Sequence, residues 1–419
     1  MTSLTLDRFY TVLQISCDMT RVEYYVPSTR VQSNRTARRQ ALPLWLFVFI
    51  LNNVFEFTDI TTQKKEENMV AATKILVYIG VPLFALILVV GMALGFIFFY
   101  KNPEATPEFR KKLVIDHDGG ADDAFAITMS LLYEKYFGGP NVVALTTTYG
   151  NVNLSQVIIN SDRILRLANR QDVPIYEGSY RSLITGVVSD YFFGFDGLGD
   201  DGYLASGPIP LEELAPIALL ELSKKYEGEL IVVAIGPLTN LALAVSMDPD
   251  FIGRLSHLYI GAGHIQSQEH PDPEFNAQMD PEAYHIVTNS SYVDKVTVVP
   301  FSQVYNHLNV PLDWRKGVLG KIQTPMMEAL NGFERLSLPK ETDWTQLDPA
   351  TMAIVLDNSL VDEFRNSSNG IILEGSQRGI NTNNFSSTEP NIRVAYTPNM
   401  EKYKKFLLDV YSAELQTLL

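Results

Sequence analysis

A short apolar run that leads directly into a dense group of aspartates constrains the fold of this chain more than any other feature. Residues 113–115 are Leu-Val-Ile, an uninterrupted apolar run that predicts a buried strand of a parallel sheet. Gly119 and Gly120 allow a tight turn, and the spacing of residues 124–136 predicts a helix that begins near Asp122. The aspartates therefore lie at the carboxyl end of a strand, where open α/β sheets place their binding sites.

Four carboxylates crowd this turn: Asp116, Asp118, Asp122 and Asp123. Like charges at this density repel one another, so a cation, protonation or hydrogen bonds must compensate them. Oxygen ligands in this number suit a hard divalent ion, Ca²⁺ or Mg²⁺. An acidic helix N-terminus that only complements the helix dipole is the simpler alternative.

Charge and cysteine content exclude several classes of protein. The net charge of −15 argues against a nucleic acid as partner, because phosphate backbones require clustered Lys and Arg. The only cysteine is Cys17, so a disulfide framework and a cysteine-ligated zinc site are both excluded within one chain.

The first hundred residues differ in composition from the rest. We predict that residues 1–74 form an N-terminal extension that is largely disordered. Residues 75–100 carry no charged side chain. This run is long enough for a single transmembrane helix, which we favour over a cleaved signal peptide because a signal peptide has a shorter apolar region. Residues 101–110 then form a linker. Four Asn-x-Ser sequons follow the predicted anchor, so we expect a single-pass membrane protein whose catalytic domain is lumenal or extracellular.

Residues 111–419 alternate short apolar strands with helical patterns, which predicts an α/β domain with a mainly parallel central sheet flanked by helices. Besides the first strand and its helix, the predicted strands are 142–148, 173–176, 230–235, 255–260 and 296–299, and the predicted helices are 154–170, 210–226, 280–289 and 349–356.

Polar residues follow several of these strands and would converge at one edge of the sheet. Asn151 follows the second strand, Ile235 ends the fourth, and Glu274 and Asn276 lie in the loop after the fifth. A pocket of carboxylates and amides suits a neutral ligand rich in hydroxyl groups, such as a sugar. No Gly-x-Ser-x-Gly nucleophile elbow is present in the sequence.

Residues 116–123, Asp-His-Asp-Gly-Gly-Ala-Asp-Asp, resemble the Asp-x-Asp-x-Gly-x-Asp-Asp signature of the inosine-uridine-preferring nucleoside hydrolases. Further similar motifs occur in the family's order: Tyr149-Gly-Asn-Val152, Asp196-Gly-Leu-Gly199, Ile235-Gly-Pro-Leu-Thr-Asn-Leu241, Glu274-Phe-Asn276 and Asp280-Pro-Glu-Ala283. The similarity covers roughly residues 111–419.

The resemblance implies Ca²⁺-dependent hydrolysis of the N-glycosidic bond of ribonucleosides to ribose and free base. It implies a Ca²⁺ site formed by the carboxylates of Asp118, Asp123 and Asp348 and the carbonyl of Ile235. Asp118 would also be the general base that deprotonates the metal-bound water. Asp116 is expected to orient the loop by accepting backbone N–H bonds.

The same resemblance implies a substrate site. The residues at substrate-binding positions are Asp122, Asn151, Gln268, Glu274, Asn276 and Phe193. Gln268 stands where the family commonly has an Asn. Phe193 and Leu347 stand where many members carry a His associated with the leaving base, so the base preference and the group that protonates the base stay open.

Two sets of side chains are candidates for handling the base instead. The first is an aromatic wall of Tyr191, Phe192, Phe193, Phe195 and Trp344, for which ordinary core or lid packing is the alternative. The second is His264 and His270, which could donate a proton, although we expect a loop role without chemistry for both.

Two other functions compete with this prediction. One is a nucleoside-binding surface protein that keeps the metal site without efficient catalysis, and the other is a haloacid-dehalogenase-like phosphatase that uses the first Asp as its nucleophile. Members of the resembled family commonly form dimers or tetramers, so a homo-oligomer is possible.

Overall fold

The computed structural model describes residues 110–185, 187–204 and 213–416. Its strands are β1 (Lys112–His117), β2 (Asn141–Thr147), β3 (Ile175–Tyr176), β4 (Leu230–Ala234), β5 (His257–Gly261), β6 (Val296–Val299), β7 (Val310–Pro311), β8 (Asp343–Trp344), β9 (Val361–Ile371), β10 (Asn381–Asn384) and β11 (Ile392–Pro398). Its helices are α1 (Ala121–Phe137), α2 (Leu154–Leu167), α3 (Ala215–Lys225), α4 (Thr239–Met247), α5 (Phe251–Arg254), α6 (Phe275–Met279), α7 (Pro281–Asn289), α8 (Phe301–His307), α9 (Leu312–Gly317), α10 (Pro325–Phe333), α11 (Leu347–Leu356) and α12 (Met400–Gln416).

In this part of the chain, nine strands form one sheet in the order β10-β9-β11-β6-β5-β4-β1-β2-β3. The strands from β11 to β3 pair in parallel, whereas β9 pairs antiparallel with both β10 and β11. The predicted α/β class and mainly parallel sheet are therefore confirmed. β7 and β8 form a separate two-stranded antiparallel pair.

Strand β1 lies inside the sheet, between β4 and β2, and is covered on both faces. Leu113 and Ile115 pack in one hydrophobic cluster with α1, α10, α11 and α12. Val114 points to the other face, where α3, α4 and α7 pack. Because side chains of a strand alternate between faces, burial on both faces explains the uninterrupted apolar run in the sequence.

The strand order reverses between β1 and β4, and this reversal positions the site. From β1 the chain adds β2 and β3 on one side, then returns to add β4, β5 and β6 on the other. Loops that leave β1 and β4 therefore turn in opposite directions, and a crevice opens at their carboxyl ends.

The strands and helices predicted from apolar runs are confirmed with shifted ends, whereas β9, β10 and β11 were not predicted. β9 carries the polar residues Arg365, Asn366 and Ser367 in its middle, and only its last five residues alternate between buried and partly buried positions. Such a polar strand near the edge of a sheet lacks the continuous apolar run that marks a buried parallel strand. The start of the predicted helix 210–226 falls partly outside the described residues.

The predicted membrane localisation requires correction. Within residues 110–185, 187–204 and 213–416, no helix combines the length and apolar character needed to cross a bilayer. The longest helices described, α1 and α12, have 17 residues each and span about 26 Å at 1.5 Å per residue, less than the hydrocarbon core needs. The predicted extension (1–74), anchor (75–100) and most of the linker lie outside the described residues.

Candidate active site

The aspartate-rich turn is built by hydrogen bonds between its own residues. Gly119 has φ +79°, a left-handed conformation that favours glycine, and α1 begins two residues later. The Oδ1 atom of Asp123 accepts from the backbone N–H of Asp118 at 3.1 Å, and its Oδ2 atom accepts from that of Gly120 at 2.6 Å. Asp123 thus closes the turn from the first turn of the helix.

Three carboxylates from distant parts of the chain meet at this turn. Asp118, Asp123 and Asp348 are buried, and each offers an oxygen that lies within 4.8 Å of the oxygens of the other two. Asp348 is in the first turn of α11, which packs against α1. The predicted carboxylate ligands are therefore brought together.

The electrostatics of this cluster call for a cation. Burial, followed by repulsion from neighbouring aspartates, raises the pKa of both Asp118 and Asp348. The Oδ2 atom of Asp348 is buried with no hydrogen-bond partner. Three buried oxygen ligands, one of them without a donor, fit a hard divalent cation, which would supply the missing positive charge.

Asn151 fixes the orientation of Asp118. Its backbone N–H donates to Asp118 Oδ2 at 2.7 Å, and its side-chain Nδ2 donates to Oδ1 at 3.0 Å. A Cβ atom at the preceding Gly150 would lie 1.9 Å from Asp118 Oδ2, so this position admits only glycine without displacement of the carboxylate.

Asp116 lies behind the cavity and does not line it. Its Oδ1 atom accepts from Thr146 Oγ1 at 2.6 Å and from Asn240 Nδ2 at 2.8 Å, and burial raises its pKa to about 7. The expected backbone donors are replaced by two side chains. Asn240 also donates to the carbonyl of Thr147 at 3.0 Å, so Asp116 joins α4 to the end of β2.

The loop after β5 brings two more predicted residues into place. Glu274 caps α6: its carboxylate accepts from the backbone N–H groups of Asn276 and Ala277, each at 3.0 Å, and from that of Gly263 at 2.6 Å. The Nδ2 atom of Asn276 donates to the carbonyl of Ile235 at 3.1 Å. The amide of Asn276 thereby holds the end of β4 beside the carboxylate cluster.

A cavity of about 510 Å³ opens over the cluster. Of the predicted residues, those that line it are Asp122, Asn151, Phe193, Ile235, Glu274, Asn276 and Asp348. Gln268 is exposed on the loop before His270 and does not line the cavity.

The predicted aromatic wall forms only in part. Phe192 and Phe193 line the cavity, whereas Phe195 is 77% exposed and Trp344 is packed in the core, with its ring centroid 5.4 Å from that of Phe125. Tyr191 does not line the cavity and packs at a tilt against Phe195, with ring centroids 5.2 Å apart.

The two candidate histidines are neighbours. The ring of His264 lines the cavity and stacks on that of His270, with centroids 4.7 Å apart. Burial lowers the pKa of His264 to about 4, so this imidazole is neutral at pH 7. His117, inside the motif, is fully buried and bonded to Ser161 at 3.0 Å.

Sequence reasoning missed one side of the cavity. Lys340 and Glu341 line it from the segment before β8, and Phe301 and Tyr305 line it from α8. The segment around Lys340 has no helical or strand periodicity, and Phe301 and Tyr305 are spaced like any two residues that face a core. Neither pattern therefore predicts that these residues line a cavity.

Comparisons with known proteins agree with this geometry. A family model described as inosine-uridine preferring nucleoside hydrolase matches residues 113–405. The probable uridine nucleosidase 2 of Arabidopsis thaliana is 38% identical over 183 residues, which cover 42% of this chain and 56% of that protein. The match thus spans little more than half the length of this curated relative.

Longer matches have lower identity. The inosine-uridine preferring nucleoside hydrolase of Crithidia fasciculata is 27% identical over 312 residues, covering 71% of this chain and 96% of that protein. Among solved structures, a plant nucleoside hydrolase superposes with a TM-score of 0.66 at 29% identity, covering 72% of this chain and 99% of its own.

Proposed function

This chain belongs to the inosine-uridine preferring nucleoside hydrolase family, and from that premise we propose that it hydrolyses the N-glycosidic bond of ribonucleosides to ribose and free base in a Ca²⁺-dependent reaction. The observation that carries the proposal is the convergence of Asp118, Asp123 and Asp348 beneath a cavity of about 510 Å³. A nucleoside fits within a cavity of this size.

Ca²⁺ would be held by these three carboxylates and by the backbone carbonyl of Ile235. When bound, the ion supplies positive charge that keeps the carboxylates ionised and polarises water and sugar hydroxyls. Ca²⁺ is proposed over Mg²⁺ because Ca²⁺ accepts an irregular set of oxygen ligands, whereas Mg²⁺ demands a near-ideal octahedron.

Asp118 is the proposed general base. Both of its oxygens accept hydrogen bonds from Asn151, which hold the carboxylate in one orientation. From that position it takes the proton of the water that attacks the anomeric carbon of the ribose. The neighbouring carboxylates stabilise the positive charge that develops on the sugar as the bond to the base breaks.

The ribose would be bound by polar groups that face the cavity. Asp122, Asn151, Glu274 and Asn276 all line it, and their carboxylate and amide groups can accept from or donate to sugar hydroxyls. Glu274 and Asn276 are buried and tied to backbone groups, so they are already oriented before a substrate binds, which lowers the entropic cost of binding.

A nucleoside-binding protein without turnover is the second candidate. Phe193 and Leu347, both apolar, line the cavity, and neither can protonate a departing base. A phosphatase reaction through Asp116 is not proposed, because this carboxylate is bonded to Thr146 and Asn240 and is not one of the three that converge.

Release of ribose from purine and pyrimidine ribonucleosides tests the proposal. We expect turnover with Ca²⁺ that is abolished by a chelator and reduced by at least about 100-fold in Asp118→Asn, the magnitude typical for loss of a general base. Asp294→Asn, a substitution at an exposed loop position, should retain full activity. Nucleoside binding without ribose release would favour the binding protein, and the absence of both would refute the family-based proposal for this chain.

A further inference from the structure

The cavity wall before β8 carries a carboxyl group that the reaction described so far does not use. Glu341 lines the cavity. Its Oε1 atom accepts a hydrogen bond from Gln346 Nε2 at 2.6 Å, and its Oε2 atom is buried with no partner. Gln346 therefore holds one oxygen, whereas the other has no hydrogen-bond partner among the described residues that would compete for a proton carried there.

We propose that Glu341 is the general acid that protonates the departing base. This inference rests on the proposed hydrolase function and adds to it a catalytic residue in the cavity wall. Glu341 would supply the proton that the apolar side chains of Phe193 and Leu347 cannot.

Four of the other ionisable groups that line the cavity are engaged elsewhere. Asp348 belongs to the carboxylate cluster, Asp122 accepts from the backbone N–H of Asp123 at 3.2 Å, and the carboxylate of Glu274 accepts three backbone N–H bonds. The ammonium of Lys340 donates to the carbonyl of Phe192 at 2.6 Å.

Three further groups in the lining are poorly suited to the step. The Oδ1 atom of Asp190 accepts from the backbone N–H of Phe192 at 2.9 Å. His264 is neutral near pH 7 because burial lowers its pKa, and the carboxylate of Asp343 lies within reach of Asn309, 3.4 Å from its Nδ2.

The surroundings of Glu341 keep its carboxyl group protonated. Burial, reinforced by the negative charge of Glu334, raises the pKa of Glu341 to about 8, against the opposing effect of Arg315 and Lys316. Arg315 donates to Glu334 from Nε at 3.0 Å and from Nη2 at 2.6 Å, so the charges of this ion pair largely cancel and burial is the main cause of the raised pKa of Glu341. At pH 7 a carboxyl with this pKa holds its proton and is well matched to general acid catalysis.

The bond between the anomeric carbon and the base nitrogen breaks, and its electron pair stays on the base. The proton of Glu341 moves to the base, water forms the new bond to the anomeric carbon, and the water proton moves to Asp118. Loss of that proton to solvent and uptake of one by Glu341 restore the enzyme.

Two substrates of different leaving-group ability test the assignment with the full chain and Ca²⁺. Natural nucleosides need protonation of the base, whereas p-nitrophenyl riboside releases a stable phenolate without it. We expect Glu341→Gln to lower kcat on inosine or uridine by at least about 100-fold while changing kcat on p-nitrophenyl riboside by less than about threefold. Glu328→Gln, at an exposed position on α10, serves as the matched control and should behave like the wild type on both.

The pH profile provides a second measurement. For wild type, kcat on natural nucleosides should fall as pH rises through about 8, because the protonated form is the active one, and this limb should disappear in Glu341→Gln. Activity on p-nitrophenyl riboside shows that the variant is folded. Equal losses on both substrates, or none on nucleosides, would overturn the role of Glu341, whereas a wild type inactive on both substrates would refute the hydrolase function itself.

Discussion

Replacement of Gly150 by alanine tests whether the position of Asp118 controls catalysis. The added Cβ would lie 1.9 Å from Asp118 Oδ2 and 2.8 Å from its Cβ. Ordinary contacts between such atoms exceed 3 Å, so the carboxylate or the loop after β2 must move by about 1 Å. Gly150 is not one of the described glycines with a positive φ, so an alanine there would meet this collision without backbone strain.

The size of the effect follows from the two hydrogen bonds that Asp118 receives from Asn151, the residue next to the new methyl group. A displacement of about 1 Å at a catalytic group costs about 100-fold in rate, or about 2.7 kcal/mol of transition-state stabilisation. We therefore expect Gly150→Ala to lower kcat/KM for nucleosides by about this factor, and also to weaken the stabilisation of the protein by Ca²⁺.

Steady-state kinetics and thermal unfolding with and without Ca²⁺ measure both effects. Gly253→Ala on α5 is the matched control, because a Cβ atom there has no neighbour within 4 Å, and it should leave both measurements unchanged. Activity of Gly150→Ala within threefold of wild type would refute the argument that this carboxylate must stay where Asn151 holds it.

Three further predictions concern the acidic cluster and the core. Asp348→Asn should weaken Ca²⁺ binding by more than about tenfold, measured by calorimetry, and unchanged affinity would remove Asp348 from the site. In a chelator, the melting temperature of the protein should fall between pH 5.5 and pH 8, because the raised pKa values of Asp118 and Asp348 make the folded state bind more protons than the unfolded state. Added Ca²⁺ should reduce this fall. A melting temperature that rises with pH would contradict the raised pKa values. Arg315→Leu leaves Glu334 buried without its ion-pair partner and should lower the free energy of unfolding, measured with denaturant, by about 3–5 kcal/mol. The control Arg365→Leu, at an exposed ion pair, should lower it by less than about 1 kcal/mol.

The sequence predicted those parts of the fold and the site that depend on local patterns. The apolar run at Leu113–Ile115 predicted β1 because both faces of this strand are buried, and the aspartates after it predicted the acidic cluster because strand ends are where such sites form. Asp348 could be assigned only through the family resemblance, since nothing in its local sequence distinguishes it from any acidic residue at a helix N-terminus.

Features that depend on packing between distant segments could not be predicted. Glu341 lies in a segment without periodicity, and its role comes from the burial of Oε2 and from the charge of Glu334. The exposure of Gln268 depends on how the loop after β5 leaves the sheet. Strand β9, which lies between β10 and β11, was missed because its polar residues leave no uninterrupted apolar run.

The carboxylates of the acidic cluster are far apart in the chain: Asp118 and Asp123 lie near the start of the described domain, whereas Asp348 lies just before its last three strands and last helix. During synthesis, a ribosome must therefore complete most of the domain before the cation site can exist, however early the aspartate-rich turn is made. A truncated product that stops before α11 would keep the diagnostic motif and yet lack the site. Protection against proteolysis by a bound ligand would thus report whether the two parts of the chain have come together, because loss of either the aspartate-rich turn or Asp348 removes the same site.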